Sequence, residues 1–207
     1  LVVPVLRHAD RLSFAETEQA IAAAEQLRRI ADADGLVARR PESSALLGRL
    51  LLAAGQGARA VARLEENLAP AVPAAFRSDA IRNLSDWWVS QGQLALARER
   101  LEGVVTGLAD DASVAALRLR LGQIHLREHL ARRGADQVGS AIAESHVSLT
   151  RAVAELERAA TLNPPPEVRG PLTLTLAWCR WEEALSGNSK PVMAQALSGF
   201  QTALSQL

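Results

Sequence analysis

The chain has 207 residues, with 23 Lys and Arg balanced by 23 Asp and Glu, 48% apolar residues and a single Cys. The zero net charge excludes the broad positive field that non-specific binding to nucleic acid or to an anionic membrane requires, and no apolar run reaches the roughly 18 to 20 residues that span a bilayer. Because one Cys cannot form an intramolecular disulfide, Cys179 gives no evidence for an oxidising compartment.

The chain begins at Leu1 without an initiator Met, and its first six residues are apolar. Two interpretations of this apolar start stay open. It is either the loose leader of a shortened chain or the stub of a removed signal or anchor, which would place the domain outside the cytoplasm. Lys190 is the only Lys, and the richness in Arg, Ala, Gly and Leu is what GC-rich codons supply. We therefore expect a bacterial protein, either cytoplasmic or periplasmic.

Good helix formers dominate and strand-favouring residues are sparse, so the sequence predicts an all-α chain. A capping box from Ser13 to Glu16 begins a first helix, which runs to about Ala33 and ends at Gly35. Further helices are predicted at roughly 42–54, 58–69, 75–91, 94–107, 113–133, 140–162, 168–186 and 191–205. The short junctions between them, built from Gly, Pro, Asp and Ser, force consecutive helices to lie antiparallel as hairpins.

A Leu followed by a small residue recurs with a period of 37, at Leu47-Gly48, Leu84-Ser85 and Leu121-Gly122. In each hairpin the small residue is expected to let the second helix approach the first, so that each unit completes its core against the next. The same offset relates further pairs: Leu51 and Trp88, Gly55 and Gly92, Ala60 and Ala97, Leu64 and Leu101.

These residues resemble the tetratricopeptide repeat, in which Leu-Gly, a bulky residue, a loop Gly and an Ala follow one another in two antiparallel helices. The resemblance implies a right-handed α-solenoid of stacked hairpins. We predict a leader and a helix at 1–41 that packs on the array, followed by a repeat domain at 42–207. Its units lie at about 42–73, 75–109, 113–164 and 167–207.

The third hairpin is expected to be elongated. Gly122 and Ala152 are 30 residues apart, whereas Gly48 and Ala60 are 12 apart, and the excess of 18 keeps helical composition around a turn at 134–139. Lengthening each helix by about eight residues predicts a hairpin that projects roughly 12 Å beyond its neighbours, as a lid or a contact surface.

Three His residues lie on this hairpin: His125, His129 and His146. The segment from His125 to His129 matches the H-x-x-E-H of inverted zinc proteases, in which two His bind zinc and the Glu activates water. The favoured interpretation is that the helix carries these polar side chains on its solvent face. A metal site with His146 as third ligand is the alternative. We therefore predict no cofactor and no enzymatic activity.

In the resembled family the first helices of the units line a concave face that binds peptides. The residues predicted to line this groove are Arg49, Leu52, Arg82, Asn83, Asp86, Val89, Arg120, Gln123 and Arg127. The carboxylate clamp of the chaperone-binding subset is not expected, because Ala45, Arg49 and Ala116 replace three of its five residues. The alternative for the Arg residues is a solvated face paired with acids.

Four Trp residues are candidates for interface anchors, because Trp is enriched at binding hot spots. Trp88 falls at a packed position of the repeat and is expected in the core, whereas its neighbour Trp87 must point elsewhere. Trp178 and Trp181 share a helix face and are also expected in the core, with an exposed patch as the alternative.

The sequence thus predicts an interaction scaffold that binds a protein or peptide, with no nucleic-acid partner and no membrane insertion by this segment. Two alternatives remain: a zinc-binding protein that uses the H-x-x-E-H hairpin, and a structural module that forms a homodimer through its C-terminal helices.

Overall fold

The structure is a computed structural model that describes residues 13–33, 39–133, 140–187 and 189–205. In these residues the backbone forms α-helices and no strand, which confirms the predicted all-α class. The helices are α1 (Phe14–Ala33), α2 (Arg40–Ala53), α3 (Gly57–Glu65), α4 (Ala74–Ser90), α5 (Leu94–Val105), α6 (Ala112–Arg133), α7 (Ser140–Thr161), α8 (Pro166–Gly187) and α9 (Lys190–Ser205), with a short 3₁₀ helix at Glu66–Leu68. Across the described ranges, none of the helices combines the length and the apolar character that crossing a membrane demands.

The helix ends follow the local signals in the sequence. At the start of α1 the Ser13 amide donates to Glu16 Oε2 at 2.8 Å, so the predicted capping box is formed. Gly55 and Gly92 have φ of +72° and +74°, which glycine adopts without strain. The predicted stop at Gly35, the turn at 134–139 and the apolar start of the chain lie outside the described residues.

The chain divides into two compact units, Leu1–Gln91 and Gly92–Leu207. In the first unit α1 packs on α2, and α2 packs on α3 and α4. Apolar side chains from the first three helices form its core: Ile21, Ala24, Leu47, Leu50, Leu51 and Ala60.

In the second unit α6 is the central helix, because it packs against α5, α7 and α8. Its side chains are buried on nearly every side between Val114 and His129. A core of α6, α7 and α8 side chains surrounds Leu156 and Cys179, which are both fully buried.

The small residues of the repeat bring paired helices together as predicted. A Cβ added to Gly48 would lie 2.5 Å from Leu64 Cγ of the second helix, and one added to Gly122 would lie 2.6 Å from Leu156 Cγ. Both distances are shorter than side chains tolerate, so the close approach of α2 to α3, and of α6 to α7, requires glycine at these positions.

The third hairpin is elongated, because α6 and α7 have 22 residues each whereas α2 and α3 have 14 and 9. Its predicted projection beyond both neighbours is wrong. Helix α8 also has 22 residues and runs beside α6, so that Glu182 pairs with Arg133 in the last turn of α6. On another side Arg98 of α5 reaches Glu128 at 3.1 Å.

Candidate functional site

The predicted groove residues of the first unit lie on α2 and α4, and they differ in what they offer a ligand. Arg49 is exposed and Leu52 is half-buried. The Arg82 guanidinium pairs with Asp79 one turn earlier at 2.6 Å, and the Asn83 amide donates to the Asp79 carbonyl oxygen at 2.7 Å.

The remaining two predicted residues of α4 differ in exposure. Asp86 is exposed. Val89 is only 9% exposed, so it contributes to packing and offers a ligand little surface.

The second unit brings its predicted groove residues into one row. Arg120 donates to Gln123 Oε1 at 3.3 Å, and the Gln123 amide reaches Thr175 Oγ1 of α8 at 3.5 Å. Arg127 lies farther along α6 and is exposed. We call these four residues, Arg120, Gln123, Arg127 and Thr175, the first-helix face. They combine two cationic side chains with an amide and a hydroxyl, which can pair with carboxylates and with the backbone of an extended peptide.

The contribution of α8 to this arrangement was missing from the sequence prediction. A Cβ added to Gly199 of α9 would lie 2.8 Å from Ala177 Cβ, so the close approach of α8 and α9 occurs at Ala177. Leu176-Ala177 therefore corresponds to Leu121-Gly122. The two pairs are 55 residues apart, which is the period of 37 plus the 18 extra residues of the third hairpin. Allowing for that insertion would have placed the fourth unit, predicted at 167–207, in register with the earlier ones.

The Trp residues divide between packed and exposed positions. Trp88 is 4% exposed, which confirms its expected place in the core. Trp87 lies against the start of α3, where a Cβ on Gly57 would meet its ring at 2.0 Å. The expectation of a core position is wrong for Trp178, which is 45% exposed and stacks edge-on against Phe200 of α9 with ring centroids 6.2 Å apart. Trp181 is half-buried.

The expectation that His125 and His129 lie on a solvent face is also wrong, since each is only 2% exposed. His125 lies between two carboxylates, with Nε2 3.6 Å from Glu102 Oε1 of α5 and Nδ1 3.6 Å from Glu128 Oε2. Arg98 contacts both of these acids, at 3.3 Å for Glu102 and 3.1 Å for Glu128.

This cluster shifts the acid–base behaviour of Glu128. Burial alone would raise the pKa of its carboxyl, but the adjacent His125 and the charged hydrogen bond from Arg98 outweigh burial, so that the pKa lies below its ordinary value. Glu128 is therefore an anion held by Arg98 and His125, rather than a base free to take a proton from water.

His129 turns toward other neighbours. Its Nδ1 lies 2.8 Å from Ser145 Oγ of α7, while its Nε2 lies 3.5 Å from Glu182 Oε2 of α8. The two imidazoles of the H-x-x-E-H match thus face α5 on one side and α7 with α8 on the other, whereas His146 is exposed. Within residues 13–33, 39–133, 140–187 and 189–205, no three His, Cys, Asp or Glu side chains are grouped so that they could hold a metal ion.

Cys179 offers no reactive thiol. It is fully buried in the core, and burial raises its pKa to about 12. Because the thiolate is the nucleophilic form, this cysteine is protonated and inert near neutral pH.

A cavity of about 410 Å³ opens between α5, α6 and α7 in the second unit. Its wall contains Arg118, which is 5% exposed and donates to Asp110 at 2.8 Å and to Glu155 at 2.7 Å. Arg158 also pairs with Asp110. The two Arg residues thus balance Asp110 and Glu155, and these four groups join the loop before α6 to α7.

Comparison with known proteins shows the fold of this chain but assigns the chain to no family. No family model matches the chain, and neither does any curated protein. Among solved structures the chain is similar to a monomeric mutant of IFIT1 with Gppp-AAAA, with 19% identity, a TM-score of 0.63, and coverage of 89% of this chain and 36% of that one.

A second IFIT1 mutant, with m7Gppp-AAAA, matches with 20% identity, a TM-score of 0.59, and coverage of 79% of this chain and 33% of that one. The chain thus spans about a third of the length of the structures that it matches. Together with the small residues between paired helices, the likeness shows a tetratricopeptide-like helical-repeat fold.

Proposed function

We propose that the protein is a non-enzymatic interaction scaffold that binds a peptide or protein segment along the first helices of its repeats. The observation that supports the proposal is the first-helix face of the second unit. There Arg120 and Gln123 of α6 meet Thr175 of α8 through side-chain hydrogen bonds, beside the exposed Arg127. Donors aligned in this way suit the carboxylates and carbonyl oxygens of an extended peptide.

The chemistry of the polar side chains also supports a binding role over a catalytic one. Glu128 is held by Arg98 and His125, and the two imidazoles of the H-x-x-E-H match face different helices. A hydrolytic site would need these three groups to converge on one water or metal.

RNA is the competing partner, because the two similar IFIT1 structures are of that protein with Gppp-AAAA and with m7Gppp-AAAA. The zero net charge of this chain argues against it, since affinity for nucleic acid rests largely on positive charge that neutralises phosphates. We therefore favour a peptide partner.

The test is a selection of displayed random peptides on the purified protein, followed by fluorescence polarisation with the selected sequences. The double variant R120A/R127A is expected to weaken binding by about tenfold or more, which corresponds to about 1.4 kcal/mol. The matched control R100A/R151A removes two exposed Arg residues from the second helices α5 and α7 and is expected to leave binding unchanged.

Two outcomes would contradict the proposal. One is equal loss of binding in both double variants, which would indicate a general charge effect. The other is the absence of any selected peptide together with saturable binding of Gppp-AAAA, which would assign the surface to RNA.

A further inference from the structure

The C-terminal hairpin presents large apolar side chains to solvent. On α8, Leu174 is 43%, Trp178 45% and Leu185 48% exposed, and on α9 Leu197 is 51% and Leu204 72% exposed. We call these five residues the C-terminal apolar face. Single exposed Leu residues are common on protein surfaces, but a group that includes a Trp marks an interaction surface.

Helical spacing and one contact join these side chains into a single surface. Leu174, Trp178 and Leu185 are separated by four and seven residues, so they share one side of α8. Leu197 and Leu204 are seven apart on α9 and likewise share a side. The Trp178 ring reaches α9 at Phe200, which lies midway between those two Leu residues.

The α9 part of this surface also lacks charge. Between Pro191 and Ser205 the sequence of α9 contains no Asp, Glu, Lys or Arg. A surface helix ordinarily carries charged residues on the side that faces water. By contrast α5, which has 12 residues, carries four charged side chains.

We propose that the C-terminal apolar face binds a second copy of this chain, so that α8 and α9 of two molecules form a four-helix contact about a two-fold axis. In such an isologous contact each patch meets itself, so a charged patch would repel its copy. The C-terminal apolar face meets this requirement, because it has no charge on α9 and is centred on Trp178 and Phe200. Antiparallel helix pairs pack against each other in this way in four-helix bundles.

The size of the surface sets the expected strength. Helix α9 has 16 residues, so a face of that length and two helices wide covers roughly 500 Å², less than the roughly 800 Å² per partner of a standard stable interface. We therefore expect a reversible dimer with a dissociation constant in roughly the micromolar range.

The experiment is sedimentation velocity on the 207-residue chain over a concentration series that crosses the micromolar range. The wild type is expected to shift from the mass of one chain to that of two chains as concentration rises. The variant L197E/L204E is expected to remain a single chain at every concentration, because it places like charges opposite each other in the contact. Both residues are at least half exposed, and circular dichroism checks that the variant retains its helices.

The matched control is L27E/I30E, which changes two residues of α1 that are each 47% exposed. It is expected to dimerise as the wild type does. Hydrogen exchange at high and low concentration gives a second measurement, with protection expected in residues 190–205.

The proposal is overturned if the wild type keeps the mass of one chain throughout, which would leave this face to a different partner. It is also overturned if L197E/L204E dimerises to the same extent as the wild type. Slower hydrogen exchange at high protein concentration in segments other than α8 and α9 would likewise overturn it.

Discussion

Gly122 sets how closely α6 and α7 approach each other. It lies where the Leu156 side chain and the Ala152 carbonyl of α7 occupy the space that a Cβ would need. Its role follows from the repeat in the sequence, because Gly48 meets Leu64 in the same way in the first hairpin. The pattern of small residues was therefore the part of the packing that the sequence predicted best.

The substitution Gly122→Ala is expected to lower the free energy of unfolding by about 1–3 kcal/mol, because the added Cβ overpacks a close helix contact. The measurement is urea denaturation followed by circular dichroism. Gly103→Ala is the control: it changes a glycine within α5 that has nothing within 4 Å of the added Cβ. We expect it to raise stability by up to about 1 kcal/mol through helix propensity. Equal losses in both variants would show that backbone effects, and not the contact, dominate.

Sequence patterns were less informative about which side of a helix faces water. His125 and His129 were expected in solvent and are buried, whereas Trp178 was expected in the core and is exposed. Helical periodicity places residues on a common side, but the neighbours that cover that side come from distant parts of the chain. One residue that packs against His129 is Glu182, which lies 53 residues later in the chain.

At the level of elements, helix ends were predicted well because they depend on nearby residues. The predicted and observed ends of α4, α6 and α9 agree within one residue, since proline and glycine stop helices locally. The expected projection of the third hairpin failed for the opposite reason. It depended on the length of α8, and the prediction began that helix two residues late and did not align it with α6.

The contact between α5 and α6 depends on charges that are mostly buried. Arg98 has 27% of its side chain exposed and Glu128 has 9%. We expect Arg98→Ala and Glu128→Gln each to lower the free energy of unfolding by about 1–3 kcal/mol, because each removes one member of a mostly buried charge pair. In the double variant the loss is expected to be smaller than the sum by about 1 kcal/mol, as measured by urea denaturation.

An exposed ion pair provides the comparison for this double-mutant cycle of Arg98 and Glu128. Arg82 and Asp79 on α4 have 54% and 21% of their side chains exposed, and their coupling is expected to be below about 0.5 kcal/mol. If the losses of stability at Arg98 and Glu128 simply add in the double variant, the buried pair contributes no more coupling energy than the exposed pair does.

At the scale of the whole molecule, acid is expected to destabilise the fold. Burial would raise the pKa of Glu66 and of Glu128, but hydrogen bonds and nearby cations lower both below the ordinary value. A carboxyl with a lower pKa in the folded state stabilises the protein above its unfolded pKa and loses that contribution as the pH falls through the folded value. We therefore expect the free energy of unfolding to decrease below about pH 4.3, the ordinary pKa of Glu.

The measurement is urea denaturation at several pH values between neutrality and pH 3. The variant E66Q/E128Q removes one such carboxyl from each unit and is expected to be less stable than the wild type at pH 7. The difference between the two proteins is expected to shrink as the pH falls below about 4.3, because the unfolded wild type begins to bind protons there while its folded state, with lower carboxyl pKa values, binds them only at lower pH. If the difference in free energy of unfolding stays constant with pH, the loss of stability in acid arises from other groups.

The candidate site could be predicted only in part. Arg120, Gln123 and Arg127 followed from the period of 37, and the structure joins the first two to α8 through Thr175. Of the C-terminal apolar face, the sequence pointed only to Trp178, as the alternative of an exposed patch, because the 18 extra residues of the third hairpin obscured the match of Leu176-Ala177 with the earlier units. An insertion inside a repeat changes the spacing while it leaves the packing contact in place.

The central position of α6 has a consequence for hydrogen exchange. Amide hydrogens exchange when their hydrogen bonds open, and a segment opens independently only if little packing holds it. Because α6 is packed by α5, α7 and α8, its amides can exchange only when much of the second unit opens with it. Helix α9 packs on α8. We therefore expect the amides of α6 to exchange more slowly than those of α9, which can separate from the second unit without breaking the packing around α6.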